Sequence, residues 1–392
     1  MFPSILETPF FENSHRKLAI EFHEWASSEI PAIEESTLDE TQKARAFVLA
    51  MGARGWLGIF KNDSSSGDSL DVRSICIARE VIAHYSGRAD ACFALQGLGS
   101  SPILLFGSEQ QRQRYLPGVA EGNLLPAFAL SEAQSGSDAG AVQTSAQRKG
   151  SQFVLNGSKT WIGNAGAADF YIVFARTGEA PGAKGVSAFI VDSNTPGFQV
   201  TEQFEVVAPC VLGSLTFKDC LIQQSQMLGN PGEGFKVAMA ILDIYRASVG
   251  AAALGFAKRA FQETVEHCMN RRLFGQTLAD FQATQMRLCD MATEIECSSL
   301  LVYRAAWTRD VLKRRITYES SLAKMVSTEY AQKTIDSAVQ LFGGMGVKKG
   351  SIIERLYRDI RPLRIYEGAT EIQKIIIAGQ ILKRWTAARS LE

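Results

Sequence analysis

The sequence predicts a mainly α-helical protein with a β domain in its middle third. Three observations carry that reading. Before about residue 116, apolar residues recur at three- and four-residue steps. Between residues 153 and 217, short β-branched and aromatic runs are punctuated by Gly, Pro, Asn and Asp. After Asn230-Pro231-Gly232-Glu233-Gly234 the helical period returns and holds almost to the end. The order is helical domain 1–126, middle β domain 127–232 and C-terminal helical bundle 233–392.

The first domain reads as helices from Glu12 to Leu116. Leu18, Ile20, Phe22 and Trp25 mix with charges, and Ala44, Phe47, Val48 and Met51 share one helix face. Ser108 before Glu109-Gln110-Gln111 predicts an N-cap, and Pro117 to Pro126 reads as a linker. Asp63-Ser64-Ser65-Ser66-Gly67 reads as a loop. In the middle domain, Phe153–Leu155 and Ser158–Ile162 flank Asn156-Gly157, which predicts a hairpin turn. Further strands are expected at 170–175, 186–191, 198–201 and 214–217, in a barrel or sandwich. Long helices are expected at about 235–270, 278–312 and 318–342, with shorter ones at 352–360 and 370–385. Ala247-Ser248-Val249-Gly250-Ala251-Ala252 is small enough for close helix packing in a four-helix bundle.

Composition narrows the function classes. The chain has 392 residues, enough for several lobes and a sizeable core. Its 41 basic and 41 acidic residues balance, which argues against nucleic acid or an anionic membrane as partner. Seven cysteines without a CxxC pair read as a reduced protein with neither disulfide framework nor zinc site. His15, His23, His84 and His267 lie outside the motifs below, so no metal ligation is expected. No apolar run of roughly 18 residues reads as a membrane span. Met1-Phe2-Pro3-Ser4-Ile5-Leu6-Glu7 lacks the basic head of a secretory signal, which leaves the cytoplasm as the expected location.

The run Arg364-Ile365-Tyr366-Glu367-Gly368-Ala369-Thr370-Glu371-Ile372-Gln373 sets one carboxylate between an aromatic ring and a glycine. Apolar surroundings raise a carboxyl pKa from about 4.3 towards values useful for proton abstraction. Gly368 permits close approach, Thr370 reads as a cap, and the first helical turn suits Glu371. Taken alone, the run also reads as an ordinary loop-to-helix joint. Four further runs share the chain with it. They are Phe128-Ala129-Leu130-Ser131-Glu132-Ala133-Gln134-Ser135-Gly136-Ser137-Asp138, Gly157-Ser158-Lys159-Thr160-Trp161-Ile162-Gly163-Asn164, Arg271-Arg272-Leu273-Phe274-Gly275 and Gln340-Leu341-Phe342-Gly343-Gly344-Met345-Gly346. In this order and spacing, the five runs resemble the acyl-CoA dehydrogenase family of flavoproteins over nearly the whole chain.

The resemblance implies a fold of N-terminal helical domain, middle β domain and C-terminal four-helix bundle. It also implies FAD, an acyl-CoA substrate and α,β-dehydrogenation to the 2-enoyl-CoA, with hydride passing to flavin N5. Glu367 matches the family's α-proton base. A second subgroup carries its base where this chain has Tyr245, and tyrosine is a poor base near neutrality. Cofactor contacts are implied for Phe128, Leu130, Ser131, Ser137, Trp161, Ile162, Gly163, Arg271, Phe274, Gln282, Gln340, Gly343, Gly344, Thr370 and Glu371. Substrate contacts are implied for Ser137, Asp243, Arg246 and Gly368, while Asp90 and Ala94 fall on a helix near the acyl group. Asp243 and Arg246 also read as a helix-surface ion pair. The resemblance further implies electron-transferring flavoprotein as acceptor and a homotetramer built as a dimer of dimers.

The chain departs from the family pattern at Gly163, where a hydroxyl residue is common, at Ala133-Gln134 and at Ala369. Those departures bear on substrate and oxidant, and leave an acyl-CoA oxidase or a dehydrogenase of carrier-protein-bound acyl groups as alternatives; a reading of a different class is a non-catalytic nucleic-acid-binding relative. Neutral charge and an intact Glu367 oppose the last.

Overall fold

The computed structural model describes residues 5–61, 70–178 and 180–389. The predicted loop at Asp63–Gly67 and the first four residues lie outside the described residues. The first helices are α1 (Asn13–Glu34), α2 (Glu40–Ala53), α3 (Val72–Tyr85), α4 (Gly87–Phe106) and α5 (Glu109–Ala120). Strands follow as β1 (Pro126–Ala129), β2 (Ser145–Lys149), β3 (Gln152–Gly163), β4 (Phe170–Arg176), β5 (Val186–Asp192), β6 (Phe198–Gln203), β7 (Leu212–Gln223) and β8 (Met227–Leu228). After α6 (Gly234–Asn270), a two-stranded hairpin of β9 (Arg272–Leu273) and β10 (Gln276–Thr277) intervenes. Then come α7 (Gln282–Asp310), α8 (Thr317–Phe342), α9 (Ile352–Ile360) and α10 (Thr370–Arg389).

The chain forms two compact units, each assembled from separated segments. One comprises residues 1–31, 71–90 and 243–392, and the other 32–70 and 91–242. In the first, α3 is tied to α6 and α7 through Glu80, which accepts from Lys258 at 2.6 Å and from the Tyr303 hydroxyl at 2.6 Å. The small residues of α6 act as expected. A Cβ on Gly255 would lie 2.2 Å from the Glu80 carbonyl oxygen, and one on Gly250 would lie 2.9 Å from a Val302 methyl. The helices therefore close to backbone contact.

The second unit is built on an eight-stranded sheet, in the order β6-β7-β3-β2-β4-β5-β8 with β1 parallel to β4. Its core gathers Leu155, Tyr171, Val173, Phe189, Val191, Leu215 and Phe217, all essentially inaccessible. Each such side chain stabilises the fold by about 1.5–3 kcal/mol. Two helices are fastened to the sheet by side chains. Arg45 on α2 pairs with Asp169 at 3.1 Å, and the Tyr115 hydroxyl on α5 donates to Asp192 at 2.8 Å.

Several expectations need correction. Asn156-Gly157 is not a hairpin turn. Strand β3 runs through it with a bulge against β7, and the reversal is made at 150–151, where Gly150 has φ +64°. Gly157 is required because a Cβ there would lie 2.7 Å from the Thr144 Cα, and its φ is +144°. The linker begins later than Pro117, because α5 continues through that proline to Ala120. Ser108 caps α5 as expected, in a reciprocal box with Gln111. On length and composition, α4 and α6 are both apolar enough to cross a membrane, which the sequence reading missed. Both bury most of that surface inside the protein, 72% and 83%.

Candidate active site

The Glu367 run lies in the loop between a 3-10 turn (Arg361–Arg364) and α10. Glu367 has φ +54° and Gly368 φ +92°, so two successive residues are left-handed. A non-glycine there costs roughly 1–3 kcal/mol and persists only when its surroundings hold it. Three donors do so. Arg246 on α6 donates to the Glu367 carbonyl at 3.4 Å. Gln373 on α10 donates to the carbonyls of Glu367 and Gly368, at 3.1 and 2.8 Å. Lys324 on α8 donates to the Gly368 carbonyl at 2.8 Å. At φ +92° Gly368 holds a conformation that strains any residue with a Cβ, and a Cβ there would also displace the Gln373 amide nitrogen, 2.5 Å away.

This clamp grips the backbone and leaves the side chain free to react. The residue keeps partial exposure, yet its carboxylate oxygen Oε2 is enclosed and has no hydrogen-bond partner among the described residues. Burial pushes the carboxyl above its ordinary pKa, against the pull of Arg79, Lys324 and Arg246, and Asp90 adds to the rise. A carboxylate raised in this way is a stronger base than a solvated one.

The groups around it form buried ion pairs, of which the sequence reading foresaw only Asp243–Arg246, and that one as a surface pair. Arg79 on α3 is 1% exposed and grips both oxygens of Asp90, at 2.9 and 2.8 Å, while its remaining nitrogen donates to Ser248 at 3.0 Å. Asp90 is thus consumed by a buried pair. Tyr366 shows part of its ring to solvent, but its hydroxyl end is enclosed beside Arg79, and burial pushes the phenol far up. Asp243 and Arg246 do pair, at 3.2 Å, but both are 4% exposed, which corrects the helix-surface reading. Asp243 also accepts from Arg315 at 3.0 Å and from Thr317 at 2.5 Å. Tyr245, the alternative base position, is completely buried on α6. Thr370 is the first residue of α10 and does not cap it; its hydroxyl donates to Glu329 on α8 at 2.6 Å. Glu371 is exposed on the first turn.

Elsewhere in the same unit, Phe274 and Gly275 turn the β9–β10 hairpin at φ +51° and +85°. That turn leaves Phe274 96% exposed, with Arg271 and Gln282 also exposed. Gln340 and the glycines Gly343 and Gly344 end α8 in the open; a Cβ on either glycine would meet nothing within 4 Å.

In the sheet unit, the second and third runs are brought together. The backbone N–H of Thr160 donates to the Ser131 carbonyl at 3.0 Å. Lys159, buried beneath, donates to the Leu130 carbonyl at 3.0 Å and to Glu132 at 2.7 Å. Glu132 in turn accepts the backbone N–H groups of Gln143 and Thr144. This closed network fixes the Ser131–Ser137 loop to β3. Burial lowers Lys159 to about 8, against the pull of Glu132. Next along β3 the register slips, and Trp161 sits in the slip at φ +59°. The slip turns the indole outward, 60% exposed and tilted against Phe204 at 4.6 Å. Ser131 is half-buried and Ser137 exposed, whereas Phe128, Leu130 and Ile162 are buried. Gly163 has a local reason: a Cβ would lie 2.8 Å from Leu95 on α4, which fills the space a hydroxyl side chain would take.

Lys324, Gln373, Arg79, Lys159 and Glu132 were all missed as site residues. Three left a trace, since Glu132, Lys159 and Gln373 stand inside the five runs. Arg79 and Lys324 work across distances that no local pattern encodes.

The residue types suit a flavin dinucleotide. An outward indole and an exposed phenyl offer flat surfaces for rings, and an exposed guanidinium suits a pyrophosphate. Comparison with known proteins agrees. Residues 12–123 match the acyl-CoA dehydrogenase N-terminal domain, 127–220 its middle domain and 232–382 its C-terminal domain. An acyl-CoA dehydrogenase of Bacillus subtilis (strain 168) is 40% identical over 85% of this chain and 88% of its own length. The mitochondrial short-chain specific acyl-CoA dehydrogenase of Mus musculus is 37% identical over 95% of this chain and 91% of its own. A crystal structure of an acyl-CoA dehydrogenase complexed with FAD from Bacillus anthracis is 31% identical, with a TM-score of 0.88, over 97% of this chain and 69% of that one. Three matched domains in sequence and a shared fold over nearly the whole length lead to one conclusion: the chain belongs to the acyl-CoA dehydrogenase family.

Proposed function

We propose that this protein is an FAD-dependent oxidoreductase that introduces an α,β double bond into an acyl-CoA thioester, with Glu367 as the base. The observation that carries the assignment of Glu367 is its enclosed, unpartnered Oε2 on a turn held in the left-handed region. Glu367 takes the α proton, and its raised pKa brings its basicity nearer that task. FAD, when bound, supplies the acceptor for the β hydride. The Glu367 N–H is a candidate donor to the thioester carbonyl, which would acidify the α proton. Asp243, the other carboxylate proposed at the substrate, is paired with Arg246 and Arg315, so it orients cations and does not compete as a base.

Arg271 would meet the cofactor pyrophosphate, with Phe274 and Gln282 at the adenine. Ser131 and Trp161 would face the isoalloxazine, and Ser137 and Gly368 the thioester arm. The buried Phe128, Leu130 and Ile162 would act through their backbone. The purified protein is expected to be yellow, with one non-covalent FAD per chain. Arg271→Ala should loosen FAD by about 1.5–3 kcal/mol, the range for a hydrogen bond to a charged group. Equilibrium titration of apoprotein with FAD measures this, and unchanged affinity would remove Arg271 from the site.

Gln340, Gly343 and Gly344 would reach the cofactor of a neighbouring subunit, in a homotetramer arranged as a dimer of dimers. In support, one face of α10 leaves Ile375, Leu382 and Trp385 exposed at 66%, 66% and 63%, a pattern suited to burial against another copy. Light scattering of active holoenzyme should give a tetramer mass; a monomer with full activity would rule the assembly out. Electrons would leave to an electron-transferring flavoprotein. Rapid reoxidation by oxygen alone would favour an oxidase.

A further inference from the structure

Three buried cations act electrostatically on Glu367, none of them in an ion pair with its carboxylate among the described residues, and two of them already have a carboxylate. Arg79 on α3 is paired with Asp90 on α4, and Arg246 on α6 with Asp243. Asp243 is shared with Arg315, whose side chain is 73% exposed and screened by water. Lys324 on α8 differs. It is completely buried, its ammonium donates to the Gly368 carbonyl, and it has no carboxylate of its own among the described residues. The nearby Glu329 is occupied by Arg364 at 2.8 Å and by Thr370.

An ammonium removed from water without a counter-charge tends to lose its proton. Burial does lower Lys324, to about 8; Glu367 is the largest influence opposing that fall, Glu329 also opposes it, and Arg246 and Arg364 deepen it. Charge balance gives the same pairing. Arg79 with Asp90 is neutral, Arg246 with Asp243 is neutral, and what remains is Lys324 with Glu367.

We propose that Lys324 is a positioning residue for the base, serving both as counter-charge of the ionised Glu367 and as tether of the turn that carries it. The tether is the 2.8 Å bond to the carbonyl one peptide beyond Glu367, made alongside Gln373. The counter-charge keeps the carboxylate ionised, and so able to accept a proton, at a pH where burial alone would leave it protonated. As Glu367 gains the substrate proton, Lys324 loses its counter-charge, so the two titrate as a coupled pair. This inference rests on Glu367 being the base.

The sign follows from the charges. Removing a cation that faces a carboxylate raises that carboxyl's pKa. In Lys324→Met holoenzyme, the acid limb of kcat/KM should therefore move to higher pH by about one unit, a roughly tenfold loss of rate on the acid side. The probe is the straight-chain acyl-CoA that bleaches wild type fastest. Lys324→Gln, which keeps a donor for the Gly368 carbonyl, should shift the limb as Met does. Lys324→Arg keeps the charge and should restore the wild-type limb. An unmoved limb in both uncharged variants, or an equal shift in Lys324→Arg, would overturn the proposal. Loss of FAD from both uncharged variants would also overturn it, by assigning Lys324 to folding. An acid limb that survives in Glu367→Gln would instead overturn the base assignment beneath it.

Discussion

Glu367→Gln is expected to leave the protein folded and yellow while slowing flavin reduction by about 10²–10⁴-fold, the usual contribution of a general base. The substitution changes little except proton affinity. The side chain keeps its shape, and Arg246, Gln373 and Lys324 grip backbone carbonyls that remain in place. The amide simply has no basic site to offer the α proton. Tyr245→Phe removes one hydroxyl from a fully buried helix position and should cost far less. Anaerobic bleaching of each variant by an accepted acyl-CoA decides the matter. Wild-type bleaching by Glu367→Gln, with loss in Tyr245→Phe, would move the base onto α6.

The second large effect concerns stability. Asp90→Ala strands the Arg79 guanidinium in a site where it is 1% exposed. Breaking one side of a buried pair costs about 3–5 kcal/mol, because the remaining charge is neither solvated nor matched. Removing both charges is a different experiment. Arg79→Met combined with Asp90→Val should lose much less and could gain, since a buried pair recovers little more than its desolvation cost. Denaturant unfolding of the three holoenzymes should place the single variant well below both others. If Asp90→Ala unfolds at the wild-type midpoint, Arg79 carries no penalty for losing its partner and is not a stranded buried charge.

The single variant would also unsettle the base. Asp90 contributes to the raised pKa of Glu367, and Arg79 is the largest influence opposing that rise. Loss of Asp90 should therefore lower the carboxyl pKa and weaken the base even in molecules that stay folded.

Much of the fold was legible because its signals are local. The period of three and four placed α6, α8 and α9 within a residue or two of their observed ends. Ser108 and Gln111 formed the cap their spacing suggested. Asn156-Gly157 misled because an Asn-Gly pair serves a bulge as well as a turn, and the choice depended on Thr144, twelve residues or more away. The position of Glu367 was legible from its motif, but its surroundings were not. Arg79 and Lys324 meet it from residues far apart in the chain, and neither carries a mark that separates it from a surface cation. Trp161 could be named from sequence; the left-handed slip that turns it outward could not.

The way each compact unit is drawn from separated stretches has a consequence for synthesis on the ribosome. Every residue of the sheet unit has been made once residue 242 emerges, so that unit is free to fold early. Helices α1 and α3 belong to the other unit; they contact each other, but most of that unit lies after residue 242. At a synthesis rate of about 5–20 residues per second, they wait on the order of ten seconds with apolar faces uncovered. His15, Phe22, Ile75 and Ile77, all buried in the finished protein, are among the surfaces a chaperone would meet during that interval.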